Sequence, residues 1–235
     1  MERLLGLEHA STATSIHNLG NLLQAQGKLA EAEPLYRQAL AIEQRVLGLE
    51  HASTATTMDS LGGLLQAQGK LAEAEPLHRK ALAIKQRVLG LEHAETAVTI
   101  NNLALLLQAQ GKLAEAEAMY RQALAIQQRV LVLGHAETAT TFNNLARLLQ
   151  DQGKLAEAEP LYHQALAIQQ RVLGLEHADT AATIYNLGGL LEAKGKLAEA
   201  EPLYRQALAI QQRVLGLEHA VTATTMDSLG GLLQA

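Results

Sequence analysis

The sequence predicts an all-α solenoid built from antiparallel helix–turn–helix units, and three observations carry the prediction. The stretch 19–51, LGNLLQAQGKLAEAEPLYRQALAIEQRVLGLEH, returns almost letter for letter four more times. His9, His51, His93, His135, His177 and His219 mark a period of about 42 residues, the signature of stacked repeats whose apolar faces are buried only against their neighbours. Hydrophobic content is 48% while aromatic content is 3%, so the core must be Leu, Ala, Ile and Val, with small residues permitting close helix contact.

The repeat 52–93 shows how each element arises. Ala55, Met58, Leu61, Gly62 and Leu65 fall at helical spacing and form one apolar stripe. Ser53 and Thr54 suit the first turn, where a side-chain oxygen can accept a free backbone N–H. Gly69 ends this helix, because glycine tolerates the left-handed turn after a C-terminus. Leu71, Ala74, Leu77, His78, Ala81, Leu82, Ile84, Val88 and Leu89 supply the buried side of a second helix, which Gly90 stops. Glu75 and Arg79 lie four apart and can pair, as can Glu33 and Arg37, each pair contributing about 0.3–0.5 kcal/mol. An interior proline costs about 3 kcal/mol, yet Pro34, Pro76, Pro160 and Pro202 lie within the first two turns and are expected only to bend the helix mildly.

Extended along the chain, this pattern predicts first helices over 10–26, 52–68, 94–110, 136–152, 178–194 and 220–235. Second helices follow over 28–47, 70–89, 112–131, 154–173 and 196–215. The repeats read 10–51, 52–93, 94–135, 136–177 and 178–219, with a partial sixth at 220–235, as one continuous array over 1–235. MERLLGLEH matches the second-helix tail QQRVLGLEH, so the chain reads as a window from a longer array.

Two helices, an internal Leu-Gly or Leu-Ala pair, a glycine turn and an Ala-rich second helix resemble the tetratricopeptide repeat. In the first repeat the matching residues are Leu19, Gly20, Leu23, Gly27, Ala32, Tyr36 and Ala39. The longer unit and the phrases EAEPLYRQALAI and NNLA are similar to the kinesin light chain type. The linker departs from that type: Ala10, Ala52, Ala94, Ala136, Ala178 and Ala220 stand where proline usually follows the histidine. The resemblance implies a right-handed superhelix whose first helices line a concave groove for an extended peptide.

Comparing the copies shows where such a groove could be specific. Eight residues after each linker histidine stand His17, Asp59, Asn101, Asn143, Tyr185 and Asp227. Four residues later stand Asn21, Gly63, Leu105, Arg147, Gly189 and Gly231. Residues four apart share one helix face, and this face is expected to stand off the apolar stripe. It reads either as a groove with specificity written at these positions, its glycines leaving an open floor, or as a variable solvated face. Asn18, Asn102, Asn144 and Asn186 form a row beside it. Such a row can satisfy the N–H and C=O of an extended ligand backbone, or can bond the neighbouring helix.

Other chemistry finds little support. Zinc needs ligands within about 2.0–2.2 Å of one ion, and histidines one repeat apart are too distant to share it. The linker histidines therefore read as helix-start residues. No nucleophile–base set, phosphate loop or paired carboxylates in a unique context stands out, so no enzyme, metal or cofactor is expected. Glu31 and Glu33 read as solvated charges beside Lys28 and Arg37. A net charge of -5 argues against nucleic acid, which needs clustered Lys and Arg. The absence of cysteine excludes disulfides, and no apolar run approaches the roughly 18 residues of a membrane span. The chain is thus expected to be a cytoplasmic scaffold that binds a protein or peptide segment. The other readings are a self-assembling spacer with end-to-end association, and a sensor arm of a larger signalling protein.

Overall fold

The computed structural model describes residues 9–130 and 135–234, and these form eleven α-helices and no strand. In chain order they are α1 (Ala10–Ala25), α2 (Leu29–Val46), α3 (Ala52–Ala67), α4 (Leu71–Val88), α5 (Ala94–Ala109), α6 (Leu113–Val130), α7 (Ala136–Asp151), α8 (Leu155–Val172), α9 (Ala178–Ala193), α10 (Leu197–Val214) and α11 (Ala220–Leu232). The predicted helix–turn–helix pairs are all present, and most observed bounds fall one residue inside the expected ones. The expected last helix ran to 235, whereas α11 ends at Leu232. The second-helix tail expected over 1–9 falls, up to residue 8, outside the described residues, as does Gly134.

The linker histidines start the first helices. His9, His51, His93, His177 and His219 hold extended backbone, and each Nδ1 accepts the N–H two residues on at 3.1–3.3 Å. This corrects the expectation that Ser53 or Thr54 caps the helix: the Ser53 N–H is a donor to His51. Thr54 Oγ1 instead donates back to Gly48 O at 2.9 Å, and Thr96, Thr180 and Thr222 do the same to Gly90, Gly174 and Gly216 at 2.8–2.9 Å. These hydroxyls therefore lock the linker rather than the helix start. At the other end of α3, Gly69 takes φ 78°. Lys70 N–H then reaches Leu65 O and Gly69 N–H reaches Gln66 O, at 2.8 and 2.9 Å, closing the helix as the sequence predicted. The prolines sit inside α2, α4, α8 and α10 as their sixth residue without ending them.

The chain forms two compact bodies, residues 1–126 and 127–235. In the first, α1 packs on α2, α2 on α3, α3 on α4 and α4 on α5, and α3 also touches α5. In the second, α7 packs on α8, α8 on α9, α9 on α10 and α10 on α11, and α7 touches α9. Leu61, Leu64, Leu65, Leu103, Ala104 and Leu107 are buried in the first core, and Leu145, Ala146, Leu148 and Leu149 in the second. The internal Leu-Gly pair has a packing cause: a Cβ on Gly20 would stand 3.0 Å from the Tyr36 ring. Ala104 and Ala146 take that place opposite Tyr120 and Tyr162.

The second-helix glutamates are not merely solvated. Glu33 pairs with Arg37 at 2.8 Å and with Lys70 of the next repeat at 2.9 Å. Glu75 meets Arg79 at 2.8 Å, Gln110 at 2.9 Å and Lys112 at 3.1 Å, and Glu159 pairs with Lys194. Hydrogen bonds from Lys70 and Arg37 hold the Glu33 carboxyl down at about 2, and those from Gln110, Arg79 and Lys112 hold Glu75 at about 2.

Candidate functional site

In the first body, α1, α3 and α5 present their exposed sides to one open groove of ≈ 950 Å³. Four of the predicted residues line it: Asn21, Asp59, Asn102 and Leu105. Gln24 and Gln66 extend the lining. A Cβ added to Gly63 would meet nothing within 4 Å, which makes this glycine an open floor. His17 lies beside the groove, on a smaller pocket of ≈ 230 Å³. Asn18 is exposed on α1 and lines neither, and Asn101 is buried in α5.

The row eight residues after each histidine does not stand clear of the core as expected. Asp59 is only 6% exposed, because the next first helix closes over it. Its carboxylate sits 2.6 Å from His78 Nδ1 and accepts from Thr99 Oγ1 at 3.1 Å and Asn102 Nδ2 at 2.9 Å. Asp59 thus clasps α3, α4 and α5 together. His78 is fully buried, and its Nε2 has no partner. His17 Nδ1 reaches across to Thr57 Oγ1 at 3.0 Å, and its ring stands edge-on to Tyr36 at 5.4 Å. Burial lowers the His17 pKa, which keeps the ring neutral at pH 7.

The Tyr36 hydroxyl lies 2.6 Å from Asn21 Oδ1 and 2.8 Å from Gln24 Oε1. A phenol has one proton for two amide oxygens, so one amide must turn its N–H toward it. Tyr120, Tyr162 and Tyr204 likewise reach Gln108, Gln150 and Glu192. In the second repeat His78 replaces the tyrosine, so Gln66 has no phenol to meet.

In the second body the predicted residues Asn143, Asn144 and Arg147 lie on α7, and Tyr185 and Asn186 on α9. Asn186 Nδ2 donates to Asn143 Oδ1 at 3.1 Å, and the Tyr185 hydroxyl lies 3.0 Å from Ser228 Oγ. Arg147 is exposed and Asn144 half-buried. Of the two readings of the asparagine row, Asn102 and Asn186 follow the second: each bonds the preceding first helix.

One set was missed. Glu43, Lys85, Gln127, Gln169 and Gln211 occupy one register of the second helices and are all buried. Lys85 lines the groove and stands 3.8 Å from Glu95. The signal was available, since these copies change from Glu to Lys to Gln at one register of the second helix. Among the described residues no His, Asp and Glu cluster could hold a metal ion, and no helix is long and apolar enough to cross a membrane.

Among curated proteins none matches the chain. Solved structures do. A Podosopora anserina protein with nearly identical TPR-like repeats, named after kinesin light chain, is 33% identical, with 87% of this chain and 97% of that one covered at a TM-score of 0.68. A single-residue variant of it is 31% identical, covering 88% and 98% at a TM-score of 0.70. BtubC (BKLC) from P. vanneervenii is 28% identical, covering 88% and 82% at a TM-score of 0.72. A family model described as Tetratricopeptide repeat matches residues 1–45, 11–87, 53–129, 137–212 and 180–235. With that match spread along the helix pairs described above, the chain belongs to the tetratricopeptide repeat family.

Proposed function

We propose that the chain is a non-enzymatic, cytoplasmic protein-interaction scaffold, a single array over 1–235 that holds an extended protein segment along its first helices. Tetratricopeptide repeats generally mediate protein–protein interaction. The observation that carries the reading here is the groove of ≈ 950 Å³ in the first body, with Gly63 as its floor and the Asn21, Gln66 and Asn102 amides on its walls. Such a surface offers main-chain hydrogen bonds and apolar contact to Val98 and Leu105, without a dense charge pattern. The acidic balance of the chain supports a protein rather than a nucleic acid as partner.

The test is a peptide array probed with the intact chain and with Gly63→Arg. Repeat four carries Arg147 at this register, so the helix tolerates the side chain, which would fill the floor. Bound peptides should be lost while helicity is kept. Equal binding by Gly63→Arg and by Leu105→Asp would overturn the reading.

A second reading, end-to-end association of copies, is favoured by one observation. Leu19 and Leu22 on α1 are 47% and 54% exposed, whereas their counterparts Leu61 and Leu64 are buried. Uncovered apolar patches find partners. Sedimentation should show concentration-dependent association that Leu22→Lys suppresses; a monomer at every concentration would remove this reading.

A further inference from the structure

Two first helices of this chain carry the same letters. Residues 54–66 of α3 and 222–234 of α11 both read TATTMDSLGGLLQ, and no other first helix has aspartate at the register of Asp59 and Asp227. Their surroundings differ. On α3, Ala55 and Met58 pack against Ala81 and Ile84 of α4, and the His78 ring lies against Gly62. His78 Nδ1 stands 2.6 Å from Asp59, and Leu65 is buried in the same core. On α11 the matching face is open. Met226 and Leu233 are 45% and 55% exposed, and Ala223 and Asp227 are exposed beside them. A Cβ on Gly230 would meet nothing within 4 Å. The opposite face of α11 is filled, with Leu229 and Leu232 buried against Leu191 and Tyr204. Uncovered apolar patches find partners, and α4 shows what an identical face takes.

The repeats also show which second helix fits. Gly230 can seat either ring found at the His78 register. A Cβ on Gly62 would stand 2.8 Å from histidine, and one on Gly20 or Gly188 would stand 3.0 Å from tyrosine. Asp227 separates the two rings. An ionised carboxylate only accepts, so the donor at Asp59 is His78 Nδ1–H. A tyrosine ring presents carbon at that place and carries its one donor at the far end. The repeats with Tyr36, Tyr120, Tyr162 and Tyr204 accordingly pair it with His17, Asn101, Asn143 and Tyr185, never with aspartate.

We infer that the open face of α11 docks a second-type helix of another chain, one with histidine at the His78 register and alanine at the registers of Ala74 and Ala81. Met226 and Leu233 supply the apolar contact, Gly230 the seat for the ring, and Asp227 the choice of histidine over tyrosine. Within this chain α4 is engaged by α3 and α5, so a folded second copy does not offer it. The docking is therefore distinct from the association through Leu19 and Leu22, and it does not depend on the groove.

The intact chain, with its methionine methyls labelled with carbon-13, is titrated with two synthetic peptides. One is LAEAEPLHRKALAIKQRV, residues 71–88, and the other is the same peptide with His78→Tyr. The Met226 signal should shift saturably, at about tenfold lower concentration with the histidine peptide. Asp227→Asn, at an exposed site, should abolish that preference, while Leu22→Lys should leave it unchanged. Isolated short helices are marginal in water, so each helix is also joined to the intact chain after Ala235 through the Gln-Gly-Lys link of residues 68–70. Hydrogen exchange in α11 should then be slowed more by the histidine helix than by the tyrosine helix. Equal protection in the two extended chains would overturn the assignment to Asp227. A Met226 signal that neither peptide moves, or that both move equally, would overturn docking of such a helix from another chain.

Discussion

Asp59→Ala removes an acceptor that joins three helices. Its cost can be worked out bond by bond. His78 is fully buried and bonded only through Nδ1, 2.6 Å from Asp59. Losing that partner leaves a buried donor orphaned, which costs about 1–3 kcal/mol. Thr99 keeps a second acceptor, Glu95 O at 3.2 Å, and Asn102 faces the groove and can turn to water. Each of these two exchanges one bond for another and adds at most about 0.5 kcal/mol. The expected loss is therefore about 1–4 kcal/mol, concentrated in α3, α4 and α5. Amide hydrogen exchange reads this directly, without assuming that a repeat array unfolds in two states. Asp59→Asn with His78→Tyr recreates the Asn101–Tyr120 and Asn143–Tyr162 combinations of repeats three and four, and should recover most of the protection. A loss below about 0.5 kcal/mol for Asp59→Ala, or no recovery in the double variant, would refute the clasp.

Three further outcomes are expected. Ala104→Asp places an unpaired charge at a fully buried site, and hydrogen exchange should show protection lost in α3 and α4 as well as α5, since an array fails through its interfaces. Thr96→Val removes the hydroxyl bond to Gly90 O and should lower stability by about 1 kcal/mol in urea unfolding with no change in helicity. The Glu33 and Glu75 carboxyls lie below their ordinary value of 4.5. Their contribution is thus present above that value and lost as pH falls toward about 2. The thermal midpoint of the wild type should drop through that window, and Glu33→Gln with Glu75→Gln should flatten the drop.

The helix pairs were legible because the period and the apolar spacing are local signals. The glycine turns at Gly27 and Gly69 follow from backbone geometry that only one residue type meets easily. The groove was legible only in outline. Asn21, Asn102 and Leu105 line it as their register implied, but Asp59 and Asn101 are buried, because a helical-wheel argument on one helix cannot see the next repeat closing over its flank. Thr54 misled for the same reason: its partner, Gly48 O, belongs to the linker and not to the helix start. Glu43 and Lys85 escaped notice because charged residues near the end of a second helix read as solvated until the neighbouring first helix is in place.

A chain that repeats itself this closely has a recognition problem with itself. Any second helix offers nearly the same apolar face to any first helix, so during folding a segment can dock one repeat too early or too late, or onto another copy of the chain, with little loss of burial. The polar contacts between repeats are what differ. Asp59 with His78 fits only its own neighbours, because the other second helices carry tyrosine in place of His78. A shift of one repeat would leave Asp59 facing a tyrosine or His78 facing an asparagine. This lock serves as an address label on otherwise interchangeable parts, and erasing it should yield a chain that is no less helical but assembles in the wrong order.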